Sequence, residues 1–274
     1  MKGILSRFVL SAAFVLLISS CATLSGSGVG RVKHYAIESD RLAASFDGLS
    51  VAFLSDLHFP SLFTSKRLKR LVTTLSRLSP DLLLFGGDYG PSARSVEQLF
   101  SSFSSVETAF GKYAVAGNHD YRLRDTLATA MERGDVRLLA DEVVYLCRGN
   151  DSIAVVGVYN SFKPSPAVQQ MAAAVQDSCF TIILSHTPDF AQDTRVPCDL
   201  VLAGHTHGGQ VSLLGLYTPV KNSKYGTRFL RGRNYTADGV PVITTNGVGT
   251  SRRKLRFCVP SEIVLITLKS GLQE

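Results

Sequence analysis

Five of the six histidines in this 274-residue chain lie in four short polar clusters, each placed where an apolar run gives out. The runs Val51 to Leu54, Leu82 to Phe85, Tyr113 to Ala116, Ile153 to Val158, Phe180 to Leu184, Leu200 to Leu202, Val242 to Thr245 and Ile263 to Leu268 are short and rich in β-branched or large aliphatic residues, which predicts strands. Between them, Lys66 to Leu78, Val96 to Phe103, Thr126 to Arg133 and Ala167 to Val175 repeat apolar residues at three- and four-residue intervals, as amphipathic helices do. This alternation builds a layered α/β domain, in which side chains at the carboxyl ends of strands are the ones that gather around ligands.

The clusters carry metal-binding chemistry. Ser55-Asp56-Leu57-His58 follows the first run, Gly86-Gly87-Asp88 the second and Gly117-Asn118-His119-Asp120 the third, with Ser185-His186 and Gly204-His205-Thr206-His207-Gly208-Gly209-Gln210 later. Side chains of an extended segment repeat every two residues, so Asp56 and His58 are expected to share a face, as are His205 and His207, each pair gripping one site. The two glycines before Asp88 allow close backbone approach and leave its carboxylate free to bridge two cations. Imidazole mixed with carboxylate suits manganese, iron or zinc better than calcium. One Asp-x-His pair alone carries little weight, but so many clusters together would leave costly buried polar groups if no metal satisfied them.

In their order, the blocks Asp-x-His, Gly-Asp, Gly-Asn-His-Asp, His and Gly-His-x-His resemble those of the calcineurin-like metallophosphoesterase family, over roughly Gly48 to Gln210. The resemblance implies a four-layer α/β/β/α sandwich holding two divalent metal ions. One would take Asp56, His58 and His207, the other Asn118, His186 and His205, with Asp88 bridging both. His119 would approach the leaving oxygen as the catalytic acid or as an electrostatic stabiliser. Two such ions lower the pKa of a bridging water to give a nucleophile and neutralise the phosphoryl oxygens, while a general acid adds on the order of 100- to 10,000-fold. Asp120 is expected to fix its loop. Many relatives orient the catalytic His with an Asp shortly after the Gly-Asp block, whereas here Tyr89-Gly90-Pro91-Ser92 follows Asp88.

The Gly204 to Gln210 block, Lys224-Tyr225-Gly226, and the stretch from Asn246-Gly247-Val248-Gly249-Thr250 through Arg256-Phe257 to Pro260 and Glu262 also resemble a subgroup of membrane-associated bacterial phosphoesterases. That subgroup includes the chlamydial-type UDP-2,3-diacylglucosamine pyrophosphatase.

The amino-terminal residues read differently from the rest. Lys2 and Arg7 precede an apolar run of eleven residues, Phe8 to Ile18, which fits a signal peptide better than a free-standing membrane span. Ile18-Ser19-Ser20-Cys21 resembles a lipobox, in which the Cys is acylated. The expected organisation is a signal peptide over 1–20, a lipidated Cys21 with tether and lead-in over 21–46, and one phosphoesterase domain over 47–274. An uncleaved anchor is the alternative. Either way the domain is expected at a membrane, facing the periplasm or cell exterior, or else the cytoplasmic face of the inner membrane. Cys147, Cys179, Cys198 and Cys258 have no C-x-x-C spacing and read as buried thiols.

With 45% hydrophobic and 19% charged residues the chain reads as globular, and its net charge of +7 falls to +5 if residues 1–20 leave, since Lys2 and Arg7 go and no acid does. Lys66, Arg67, Lys69 and Arg70 cluster early, and Arg228, Arg231, Arg233, Arg252, Arg253, Lys254 and Arg256 cluster late, as would suit an anionic substrate or lipid. No specific nucleic acid is expected as a partner. The expected activity is hydrolysis of a phosphodiester, pyrophosphate or phosphomonoester. A lipid-linked substrate such as UDP-2,3-diacylglucosamine is suggested by the anchor, the basic clusters and apolar Phe59, Leu62 and Phe63. An exported scavenging phosphatase or nucleotide phosphodiesterase is the nearest rival. A catalytically silent, metal-stabilised surface-binding lipoprotein is the rival of another class, and the intact His119 argues against it.

Overall fold

Strands such as Leu82–Phe85 and Phe180–Leu184 are buried at every position and apolar at all but Thr181, so both faces of the sheets they form are covered. The computed structural model, which describes residues 22–24, 29–61, 63–176, 179–194, 196–213 and 217–271, covers them with four layers. One six-stranded sheet runs β2 (Arg31–Ser39), β14 (Glu262–Ser270), β3 (Ser50–Leu54), β4 (Leu82–Phe85), β5 (Lys112–Ala114), β6 (Arg137–Leu138). The other runs β11 (Gly232–Tyr235), β12 (Pro241–Thr244), β10 (Leu200–Ala203), β9 (Phe180–Leu184), β8 (Asp151–Gly157), β7 (Glu142–Arg148).

The pleat sorts each strand between two cores. Ala52 and Leu54 of β3, with Leu83 and Phe85 of β4, pack on helices α1 (Ser65–Leu78), α2 (Ala93–Ser101) and α3 (Leu127–Glu132) through Leu68, Leu71, Val96, Leu99, Leu127 and Met131. Their neighbours Val51, Phe53, Leu82 and Leu84 turn the other way and meet Ile153, Val155, Ile182 and Leu202 of the second sheet. On the far side, Ala154, Val156 and Ile183 cover α4 (Pro166–Gln176) and α5 (Asp189–Thr194) through Val168, Ala172 and Phe190. Each fully buried Leu, Val or Phe is worth about 1.5–3 kcal/mol, and three such cores leave the strand ends as the place where polar groups can converge.

Helix α1 shows how local rules cooperate with this packing. Leu68, Leu71 and Leu75 repeat at helical spacing and are buried, the Thr64 side chain accepts from the Arg67 N–H at 3.4 Å, and Ser79 ends the helix at φ 45°.

β3, β4 and β5 run parallel, as do β8, β9, β10 and β12, so the carboxyl ends within each set emerge on one edge. Several strands lie outside the runs that the sequence marks, β2 and β7 the longest of them. β2 falls in the stretch read as lead-in and pairs with β14 over nine residues, and the half-exposed β7 pairs antiparallel with β8. β1 (Ala22–Leu24), within the expected tether, pairs antiparallel with β13 (Leu255–Phe257). The expected signal peptide, Cys21, Ser25 to Gly28 and Leu62 lie outside the described residues. Among the described residues no helix is long and apolar enough to cross a membrane.

Candidate metal centre

The chain leaves its strands abruptly at the site. Asp56, His58, Asp88, His205 and His207 all adopt left-handed backbone, with φ of 59°, 49°, 61°, 66° and 52°. That conformation costs about 1–3 kcal/mol at a non-glycine residue and persists only where the surroundings impose it. The even spacing of Asp56 with His58 and of His205 with His207 therefore does not act through an extended strand, as the alternation rule suggested. Sharp turns aim the side chains instead, and they send His205 and His207 to different clusters. Gly87, at φ 99°, packs so closely that a Cβ there would lie 2.6 Å from both His186 Nδ1 and the Gly117 nitrogen.

Seven residues singled out in the sequence come together here. Asp56, His58 and His207 form one group whose ligand atoms lie within 4.8 Å of one another, and Asp88, His186 and His205 form a second. Asp88 joins the two, its Oδ2 standing 3.6 Å from His58 Nε2 and 3.6 Å from His186 Nε2. Asn118 Oδ1 lies 3.2 Å from His186 Nε2. His119 sits outside both groups, its half-exposed ring bringing Nε2 to 4.0 Å from Asp88 Oδ2.

The donor chemistry fits cations. His186 Nδ1 faces the Gly86 carbonyl at 2.6 Å, and since a carbonyl only accepts, Nδ1 carries a proton, which leaves Nε2, facing the oxygens of Asn118 and Asp88, as the nitrogen a metal would take. His58 Nε2 and His207 Nε2 are 3.2 Å apart. Asp56 Oδ1 is buried without a hydrogen-bond donor, 3.3 Å from His207 Nε2. Acceptors crowded together in this way repel unless a positive ion lies among them.

Burial sets the ionisation. It pulls His58 down to about 4 against the pull of Asp88, and it takes His205, with His186 beside it, to about 3. Burial and neighbouring His58 hold His207 well below its ordinary value. These rings are neutral at physiological pH, the form in which imidazole binds metal. His186 goes the other way: burial disfavours its charge, but Asp88 and Asp56 more than offset that and raise it. Asp56 is pushed up to about 6, chiefly by burial.

Residues 49–209 match the family described as calcineurin-like phosphoesterase. This chain belongs to that family. The metallophosphoesterase YkuE of Bacillus subtilis is 29% identical, covering 98% of this chain and 99% of its own length. The phosphodiesterase YaeI of Escherichia coli is 28% identical over 80% of this chain and 81% of its own. In fold, the chain is similar to the NAD nucleotidase NadN of Haemophilus influenzae, with a TM-score of 0.50 and 14% identity over 73% of this chain and 51% of that one. The protein is a metal-dependent phosphoester hydrolase, and its two ligand groups match the family's use of two divalent metal ions.

Much of this phosphoesterase's site is held by residues that are not ligands. Asp120, fully buried, accepts from the N–H groups of Asp88 at 2.7 Å, Gly117 at 2.9 Å and Tyr89 at 3.0 Å, tying two ligand loops together. The Tyr89 hydroxyl accepts from Gly87 N–H and lies 2.6 Å from the Val115 carbonyl, and Ser92 caps α2. The segment after Asp88 thus serves the scaffold. Among the described residues no carboxylate from it is hydrogen-bonded to the His119 ring.

Two members of the basic clusters prove to be internal. Arg256 is 1% exposed, and its guanidinium donates to the carbonyls of His207, Asn246, Gly247, Gly249 and Val259. Burial lowers it to about 10, so it remains charged among those dipoles. The loop it grips returns Val248 and Gly249 N–H groups to the carbonyls of Ser55 and Asp56, at 3.0 and 2.9 Å. Arg67 reaches the same loop, donating to Val248 O at 2.9 Å while lying over the Phe63 ring. Phe59 and Phe63 are fully buried in the helix-side core and are not exposed for lipid contact.

Glu262 and Asn246 were not singled out as site residues. Asn246 donates from its backbone to Glu262 Oε1 at 3.0 Å and from its side chain to Glu262 Oε2 at 3.3 Å, behind the Arg256 clamp. Phe162, also unforeseen, sets its ring edge-to-face against His205 at 5.0 Å and is 44% exposed at the rim. Its only sequence signal is a place in an irregular loop.

Proposed function

We propose that this enzyme cleaves a phosphodiester or pyrophosphate bond in an amphiphilic, lipid-linked substrate at a membrane surface. Two ligand groups joined by one carboxylate, with His119 standing clear of both, carry the reading. Asp56, His58 and His207 would hold one divalent ion, and Asn118, His186 and His205 the other, Asp88 serving both. The chemistry supplied by divalent ions held there would be activation of water and neutralisation of charge on the phosphoryl oxygens.

The chain's own residues do the rest. Asp56 Oδ2 accepts from the His205 N–H at 3.0 Å and Asp88 Oδ1 from the His119 N–H at 3.0 Å, so each carboxylate keeps one oxygen for the scaffold and one for the site. As water adds to phosphorus and the ester P–O bond breaks, His119 Nε2 delivers a proton to the departing oxygen. Its half-exposed position suits a bulky leaving group. The name of the phosphodiesterase YaeI supports a diester. The resemblance of Ile18-Ser19-Ser20-Cys21 to a lipobox and the exposed Leu213, Tyr217 and Val220 support the membrane setting.

A manganese-supplemented hydrolysis panel tests this reading, with a phosphatidyl diester, UDP-2,3-diacylglucosamine, a cyclic nucleotide and a soluble phosphomonoester. The amphiphiles should be turned over with kcat/KM at least about tenfold above the soluble esters. Preference for the nucleotide or the monoester would instead favour an exported scavenging enzyme.

A further inference from the structure

One cavity adjoins the ligand groups without belonging to them. It measures about 250 Å³ and shares His207 with the first group. Larger cavities of about 500 and 290 Å³ contain no ligand residue, the first opening around Lys112 at the start of β5 while the ligands follow the strand's other end. Val211, Pro219 and Val220 line the small cavity on one side, and the turn at 251–253 gives it Arg252 and Arg253.

Two of the polar side chains around it, Gln210 and Thr206, are engaged elsewhere. Gln210 accepts from Ser251 N–H at 2.7 Å and donates to the carbonyls of Ser251 and Arg253, at 3.0 and 3.2 Å, pinning the basic turn in place. Thr206 donates to Leu230 O at 2.7 Å. Hydrocarbon is therefore what one wall offers. Apolar side chains also surface close by in the chain: Leu213 and Tyr217, backbone-paired to each other, are 59% and 64% exposed, and Val220 is 46% exposed. An apolar surface of this kind beside exposed guanidinium groups matches an anion with a hydrocarbon tail.

We propose that this cavity is a chain-binding subsite: it takes the alkyl or acyl chain of an amphiphilic phosphate ester whose phosphate lies at the ligand groups, while Arg252 and Arg253 meet the anionic charge at its mouth. The assignment rests on the amphiphilic-ester reading above and names the residues that select the chain.

The test measures binding of methyl-, butyl- and octylphosphonate to the manganese-loaded full chain by calorimetry. Affinity should rise about three- to fourfold per methylene until the cavity is filled. Val220→Gln, which places an amide at an exposed position, and Val211→Phe, which fills the space, should both flatten the series and leave methylphosphonate binding unchanged. Arg252→Glu with Arg253→Glu should weaken all three ligands by a similar factor. A flat series in the wild type, including no measurable binding of octylphosphonate, would overturn the subsite, as would an unchanged slope in both valine variants. Hydrolysis of p-nitrophenyl octyl phosphate, measured in parallel, separates this failure from that of the function. A steep binding series without turnover leaves the subsite standing and removes the diesterase reading, and turnover with a flat series does the reverse.

Discussion

The floor of the site and its rim are built by different means. On the floor, Asp56, Asp88, His186 and His207 are nearly inaccessible, and backbone groups, Asp120 and Arg256 hold their loops. At the rim, His119, Phe162, Val220, Arg252 and Arg253 stand exposed or half-exposed. The difference sets the ligand residues where burial and hydrogen bonds fix their geometry, as preorganised groups require, and leaves the residues proposed to meet the substrate where solvent reaches them.

His119 tests the division most strongly because it belongs to the rim yet is proposed to act on the reacting atoms. His119→Asn should retain two bound metals and slow alkyl diesters about 100-fold or more, while p-nitrophenyl esters, which depart without a proton, lose less than about tenfold. Steady-state rates on both ester types, with metal content measured alongside, check this. Equal losses on both would make His119 a charge stabiliser and move it to the floor's account.

Arg256→Met attacks the floor without touching a ligand. Five carbonyls lose their donor, and the 246–249 loop that supports Asp56 loosens. Metal affinity should fall about 10- to 100-fold, as for residues that orient ligands. Metal titration of the folded variant decides, and Arg256→Lys should recover part of the loss. Unchanged affinity would show that the ligand loops stand without the clamp.

The smallest effect concerns protons in the metal-free protein. Burial, and next the charge of Asp88, push Asp120 up from 3.8 to about 7. In that window the folded protein keeps a proton that the unfolded chain has lost, so this contribution to stability falls as pH rises. His58, lowered from 6.5 to about 4, works oppositely, and its contribution is lost as pH falls through that window. Asp120→Asn removes the first contribution, so the metal-free variant's Tm should climb more steeply than wild type from pH 4 to 7, by the equivalent of up to about 1.4 kcal/mol per pH unit. Parallel Tm–pH curves for the two proteins would contradict the buried-acid account.

The floor was legible in the sequence because metal ligands come as rare residue types at the ends of apolar runs. β4 and β9 coincide with their runs for the same reason, being buried on both faces. β2 escaped notice because its pattern is mostly half-exposed or exposed, with only Ile37 buried, and its pairing partner lies at the far end of the chain. In the sequence Arg256 and Arg67 look like members of clusters suited to an anionic substrate or lipid, since nothing in their neighbours foretells a cage of carbonyls or the Phe63 ring beneath. The turns that part His205 from His207 were equally hidden, since positive φ at a histidine is imposed by tertiary contacts and has no local signature.

The central claim is that two cations bound to the floor are required for phosphoester cleavage, and one measurement addresses it directly. Chelated wild-type protein is titrated with manganese while metal content and hydrolysis of bis-p-nitrophenyl phosphate are followed together, with Asp88→Asn as a parallel sample. Activity should be absent after chelation and return as the second equivalent binds. Asp88→Asn should stay at least about a thousandfold slower at saturating metal. Full activity in the metal-free protein, or full recovery with a single equivalent bound, would contradict the account.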